Sequence, residues 1–235
     1  MLAKNKNAMF AGRSLFRKSK GGLVASYDFG NAASYVLGTT DIVTIKNLGK
    51  SGSILDSTQA TSTKRAVLTS GQAVFDGVDD HYVLDPLASL IQSGSFLIDV
   101  TVTASDLLVQ SRTILSTQPA SGSGYFFLQF VVSGKLRFVL RNTANTNVYQ
   151  GDFGTTGIGG AAFTVGQEYR FRFQLKGNLL NVWIDNTQVG TNIAVPWTSG
   201  DAIFYVATLG AQRSNGGGPT NVINGSIRKF LIQGV

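Results

Sequence analysis

The sequence predicts an all-β protein, a two-sheet antiparallel sandwich with an extended N-terminal arm. Three observations lead there. Apolar and polar residues alternate with period two through much of the chain beyond Gly22. Turns containing Gly, Asn or Ser interrupt that alternation at short intervals, in a chain that holds 28 glycines. Glu168 is the only glutamate, and residues that favour long helices are scarce. With 235 residues, 43% of them hydrophobic and 14% charged, the chain suits one domain of this class and is too apolar to stay disordered.

Strands are expected at Leu23–Phe29, Ile42–Asn47, Gln72–Phe75 and His81–Leu84, followed by a short helix at Pro86–Ile91. Phe96–Thr103 and Arg112–Thr117 continue the strand series. Tyr125–Val132 and Lys135–Arg141 form a hairpin through Ser133-Gly134, and the first of the two is apolar on both sides, which predicts a central strand. Glu168–Lys176 places Tyr169, Phe171, Phe173 and Leu175 on one face. After the turn Lys176-Gly177-Asn178, a return strand carries Leu180, Val182 and Ile184. Ala202–Leu209 and Ile227–Ile232 complete the set, with loops at 142–147, at the glycine-rich 151–160, and at Asn215–Pro219. Phe75, Tyr82 and Trp183 are expected to fill the space between the sheets. No fixed-period repeat and no Pro-rich linker divides residues 23–235, which are read as one domain.

Charge is concentrated at one end. Residues 1–22 carry Lys4, Lys6, Arg13, Arg17, Lys18 and Lys20 and no acid, whereas the remaining 213 residues hold 14 basic and 13 acidic groups. Of the net charge of +7, +6 therefore belongs to the arm and +1 to the body, and the near-neutral body argues against a dedicated nucleic-acid reader. Phe10, Leu15 and Phe16 lie among these cations, a pattern that suits docking on a partner better than pure solvation. No apolar h-region follows the basic N-terminus, and no apolar run reaches the roughly 18 residues of a membrane span, so neither a signal peptide nor a transmembrane helix is expected.

The residue inventory excludes much chemistry. Without cysteine there is no disulfide, thiol nucleophile or Cys-ligated metal. His81 is the single histidine, which removes multi-His metal sites, and no nucleophile-elbow motif accompanies it. Retaining glycoside hydrolysis needs two carboxylates, and Glu168 has no second glutamate. An Asp pair from Asp76, Asp79 and Asp80 would need a raised pKa, which an exposed turn seldom supplies.

The order of short motifs resembles a known family. Ala73-Val74-Phe75-Asp76-Gly77-Val78-Asp79-Asp80-His81-Tyr82-Val83 is similar to the F-D-G-x-D-D-Y-V segment of laminin-G-like, concanavalin A-like jelly rolls. Segments 95–102 and 166–173, the return strand Asn181-Val182-Trp183-Ile184-Asp185-Asn186 and the closing stretch Ile223–Ile232 extend the likeness over residues 23–233. The resemblance implies a jelly-roll sandwich. Hydrolases of that architecture carry E-x-D-x-x-E on one strand, which is missing here, so no enzymatic activity is expected. Some laminin-G-like modules hold calcium at the rim, which makes Asp76, Asp79 and Asp80 the candidate ligands, with capping of their own turn as the simpler role.

Candidate glycan contacts are Trp197 in the loop after Pro196, Tyr149, and Asn145 in the 142–147 loop, because sugars dock on aromatic faces and amides; burial of Trp197 over the sandwich edge is the competing role. Lys135, Arg137, Arg141, Arg170, Arg172 and Lys176 would make a basic patch if the two hairpins were adjacent, with an ordinary solvated face as the default. Taken with the arm, the composition resembles structural proteins of tailed bacteriophages. The expected function is a non-enzymatic virion-surface protein, capsid decoration or tail appendage, oligomeric and docked on other virion proteins by its arm. The alternative is a free carbohydrate-binding lectin or adhesin module that contacts host glycans, and a glycan hydrolase ranks last.

Overall fold

The computed structural model describes residues 24–107, 110–118, 124–201, 204, 206–213 and 218–235. Its strands are, in chain order, β1 (Val24–Asp28), β2 (Tyr35–Leu37), β3 (Ile42–Ile45), β4 (Ser57–Thr58), β5 (Val67–Thr69), β6 (Gln72–Asp76) and β7 (Tyr82–Val83). Then come β8 (Phe96–Ala104), β9 (Arg112–Gln118), β10 (Tyr125–Phe130), β11 (Leu136–Arg141), β12 (Asn147–Gly154), β13 (Gly157–Ile158) and β14 (Glu168–Lys176). The chain ends with β15 (Leu179–Ile184), β16 (Thr187–Ala194), β17 (Val206–Leu209), β18 (Gln212–Arg213), β19 (Pro219–Thr220) and β20 (Asn224–Gly234). Helix α1 (Leu87–Gln92) precedes β8.

Two antiparallel sheets form the sandwich. The first has the order β16-β15-β14-β8-β20-β6-β5, with β1 also paired to β20. The second has the order β13-β12-β11-β10-β9-β17-β7. β20 lies between β8 and β6, so the C-terminal segment completes the middle of the first sheet. β10 sits at the centre of the second sheet, where its two-sided apolar pattern fits, with Phe127 and Val131 nearly as buried as the inward Phe126, Leu128 and Phe130.

Period-two alternation turns one set of phenylalanines inward from each sheet. Phe96, Phe171 and Phe173 come from the first sheet, and Phe126, Phe130, Phe138 and Phe153 from the second, all fully buried. They meet across the interior: Phe138 stacks on Phe173 at 5.4 Å, Phe153 meets Phe173 edge-on at 5.6 Å, and Phe130 meets Phe171 at 5.9 Å. The β14–β15 hairpin forms at the expected turn, because Gly177 (φ 57°) and Asn178 (φ 62°) both take the left-handed conformation that a two-residue hairpin loop requires.

Three expectations are corrected. Residues 147 and 151–154, expected in loops, belong to strand β12; the glycine that suggested a loop makes room, since a Cβ at Gly151 would collide with the Tyr149 hydroxyl. Trp183 does not fill the interior, because its neighbours Val182 and Ile184 point inward and alternation turns the indole outward. Edge strands β5 and β13 are too short to alternate visibly, and the eight-residue β16 buries no alternate set of side chains, so none of them stands out in the sequence.

The aromatic layer yields a direct test. Phe138→Ala should lower unfolding free energy by about 3–5 kcal/mol in urea denaturation, whereas Ile158→Ala, at a side chain 61% exposed, should change it by no more than about 0.5 kcal/mol.

Candidate functional site

The outer face of the second sheet brings together the functional groups that best suit recognition. Tyr125 and Phe127 point outward from β10, because Phe126 and Leu128 point inward. Their rings stack at 4.3 Å, with Phe127 buried and Tyr125 half-buried. Arg141 pairs directly opposite Tyr125 across β10 and β11, and its guanidinium carbon lies 4.4 Å from the tyrosine ring centre. Two asparagines hold the guanidinium there: Nε donates to Asn147 Oδ1 at 2.7 Å and an Nη to Asn145 Oδ1 at 2.9 Å. Asn145 reaches that position from a left-handed backbone (φ 60°) in a turn that Asn142 closes by accepting from the Thr146 N–H.

Arg141 is electrostatically unlike its counterparts. Arg65, Arg112, Arg137, Arg170, Arg172 and Arg228 each lie within 3.4 Å of a carboxylate. Among the arginines whose side chains are described, Arg141 alone is held by neutral amides only, so its charge is oriented without being neutralised. On the same face, Arg137 forms a two-pronged pair with Asp152 (2.7 and 2.8 Å), which holds that carboxyl below the ordinary aspartate range through its hydrogen bonds to the guanidinium. Arg137 therefore frames the face while Arg141 remains free to bind an anion.

The candidates from sequence separate accordingly. Asn145 belongs to this face. Tyr149 does not, because it pairs with inward-facing Leu140, its ring meets Phe138 at 6.1 Å, and its hydroxyl is buried without a partner among the described residues. Burial accordingly pushes the Tyr149 hydroxyl up to about 12. Trp197 is 2% exposed, stacks on Phe204, and donates its indole N–H to the Gln92 carbonyl at the end of α1. It is an anchor for the helix rather than a stacking platform. The basic patch does not form: Arg137 and Arg141 belong to the second sheet and Arg170, Arg172 and Lys176 to the first, on opposite outer faces. Arg170 and Arg172 moreover share buried Asp99. Glu168 pairs with Arg228 at 2.7 Å, and His81 Nδ1 lies 2.8 Å from the Asp79 carbonyl within its own turn. The arm candidates Lys4, Lys6, Phe10, Arg13, Leu15, Phe16, Arg17, Lys18 and Lys20 lie outside the described residues.

Comparison with known proteins places the fold. No family model matches the sequence, and a search of curated proteins finds no match. Solved structures do match. The CBM40 module of the Ruminococcus gnavus IT-sialidase, bound to α2,3-sialyllactose, is 14% identical, with 68% of this chain and 88% of that one covered and a TM-score of 0.54. The Trypanosoma rangeli sialidase in complex with sialic acid is 14% identical with a TM-score of 0.60, covering 88% of this chain and 30% of that one. A leech intramolecular trans-sialidase gives 14% identity, 68% and 25% coverage, and a TM-score of 0.53. The shared feature is the antiparallel β-sandwich. The chain spans less than a third of the length of either of these two sialidases.

The acidic turn after β6 is a separate feature. Carboxylate oxygens of Asp76, Asp79 and Asp80 lie within 4.8 Å of one another, a start on the six to eight oxygens that calcium takes. Two of these groups already serve the turn: Asp80 accepts from the Asp76 N–H at 2.9 Å and Asp76 from the Val78 N–H at 2.8 Å. Asp80 is 3% exposed. Burial, helped by the charges of Asp76 and Asp79, raises its pKa to about 6. A carboxyl raised in this way binds its proton more tightly in the folded than in the unfolded state. Its contribution is therefore most favourable below about pH 4 and is lost as pH rises through 6. Asp80→Asn keeps an acceptor for the Asp76 N–H and removes the charge. The variant should melt above the wild type at pH 8, with the difference vanishing toward pH 4, as thermal melts across that range would show.

Proposed function

We propose that this chain is a glycan-binding module and that the outer face of the second sheet is its binding surface, selective for a sugar bearing a carboxylate. The observation that carries the reading is Arg141, an oriented guanidinium without a carboxylate partner, set over the Tyr125 ring. A planar guanidinium matches a carboxylate in two-pronged geometry, and an aromatic ring receives the apolar face of a pyranose. Arg141 would thus take the charged group of an acidic sugar, while half-buried Tyr125, its ring backed by buried Phe127, would border the sugar ring. Asn147 and Gln150, linked at 2.8 Å, add amides at the border for hydroxyl groups.

This is the alternative among the expectations from sequence rather than the first of them. It is favoured by the site just described and by likeness of fold to structures solved in complex with sialyllactose and sialic acid. The particle-docking role rests on the arm, which lies outside the described residues. A binding role needs no catalytic carboxylate pair, in keeping with Glu168 being engaged by Arg228.

The test is titration calorimetry with α2,3- and α2,6-sialyllactose, measured against lactose. Sialyllactose should bind more tightly than lactose, and Arg141→Ala should abolish that advantage at a cost of about 1.5–3 kcal/mol, the range for a hydrogen bond to a charged group. Arg141→Lys should restore only part of it, since lysine lacks the planar fork. Equal affinity for the charged and neutral sugars, or an unchanged Arg141→Ala variant, would sink the reading.

A further inference from the structure

The opposite side of the sandwich carries an aromatic that neither the fold nor the proposed site uses. Trp183 stands on the outer face of the first sheet, half-buried, with the Arg172 guanidinium 5.6 Å from its ring centre. Unlike that of Trp197, its indole N–H has no hydrogen-bond partner among the described residues. Two register shifts between β15 and β16 fall at Leu180/Val182 and Val182/Trp183, and in both the extra residue lies in β16, so the neighbouring edge strand bulges directly alongside the indole. Bulges of this kind re-aim side chains and concentrate beside binding sites.

Gln188 pairs directly opposite Trp183 and also lines a cleft of about 590 Å³ at the sheet edge. Its other walls include Thr155, Thr156, Gln167, Asp185 and Thr187, which supply hydroxyl, amide and carboxylate groups. The volume lies within the usual range for small-molecule sites. Its charge differs from that of the Arg141 face. Asp185 lines the cleft, while Arg170 and Arg172 nearby are both committed to Asp99.

We propose that Trp183 and this cleft form a second glycan site, one for a neutral, hydroxyl-rich saccharide. Trp183 stacks on the apolar face of one sugar ring. Gln188 sits at the lip between indole and cleft, and the next ring enters the cleft, where threonine and glutamine side chains meet its hydroxyls. Asp185 accepts a hydroxyl hydrogen bond and disfavours acidic sugars there. Trp183 and Arg141 stand on opposite outer faces, with the cleft at the sheet edge beside Trp183, so one chain would bind two glycans at once, and the avidity of the module would not require oligomerisation.

Saturation-transfer NMR with lactose, maltose, cellobiose and N,N′-diacetylchitobiose tests the site separately from the Arg141 face. At least one of these neutral disaccharides should bind both wild type and Arg141→Ala. Trp183→Ala and Gln188→Ala should each weaken that binding by about tenfold, equivalent to about 1.4 kcal/mol, and Trp183→Phe should retain it. Sialyllactose binding that depends on Arg141 should persist in Trp183→Ala, which also shows that the variant is folded. If none of the four sugars binds, or if Trp183→Ala binds as well as wild type, the second site is wrong, whatever the outcome at Arg141.

Discussion

Contact between phenylalanines of the two sheets is the interaction on which the remaining structure depends. Phe173 is held between Phe138 and Phe153, and Phe171 meets Phe130, so the register of β14 is locked to that of β10, β11 and β12. Side chains alternate strictly along a strand, so a shift of one residue in either sheet would turn these rings to solvent. Each fully buried phenylalanine contributes on the order of 1.5–3 kcal/mol, enough to make such a shift prohibitive.

The outer faces inherit their side chains from this lock. With Phe126 inward, Tyr125 and Phe127 must point outward, and with Leu140 inward, Arg141 must stand beside Tyr125. The same rule on the other sheet places Val182 and Ile184 inside and leaves Trp183 outside. Function on this scaffold is therefore a matter of which residues occupy alternate positions, and neither candidate site needs a distorted core. What distinguishes Arg141 is local: its neighbours are Asn145 and Asn147, whereas Arg137, four residues earlier on the same strand, has Asp152 opposite. One strand thus presents a neutralised arginine and an open one.

Much of this was legible beforehand. The β14–β15 hairpin, its Gly177-Asn178 turn and the two-sided burial of β10 follow from local patterns that tertiary context did not override. Trp183 was also legible, since Leu180, Val182 and Ile184 already marked the inner face; weighing it by the usual burial of tryptophan hid that signal. Trp197 misled for the opposite reason. Its loop setting suggested exposure, but the Gln92 carbonyl and the Phe204 ring that enclose it are over a hundred residues and seven residues away, respectively. Tyr149 misled because an aromatic beside a polar loop suggested exposure, whereas pairing with Leu140 turns it inward and Gly151 leaves room for its hydroxyl.

By itself the sequence determined the all-β class, the alternation that divides inner from outer residues, and the lack of thiol, multi-histidine or paired-glutamate chemistry, because each depends on residue type and spacing within a few positions. Which outer residues become neighbours was decided only by the tertiary structure. Arg137 and Arg170 look equivalent in their hairpins, yet strand order places them on opposite sides of the sandwich. Asp152 and Asp99 neutralise them through cross-strand register. Arg141 escapes because the residue across from it, Asn147, reached by a β-bulge that skips Val148, carries no charge. Pairing of strands far apart in the chain governs all three outcomes, and that pairing is set by the buried aromatic layer rather than by any short stretch of sequence.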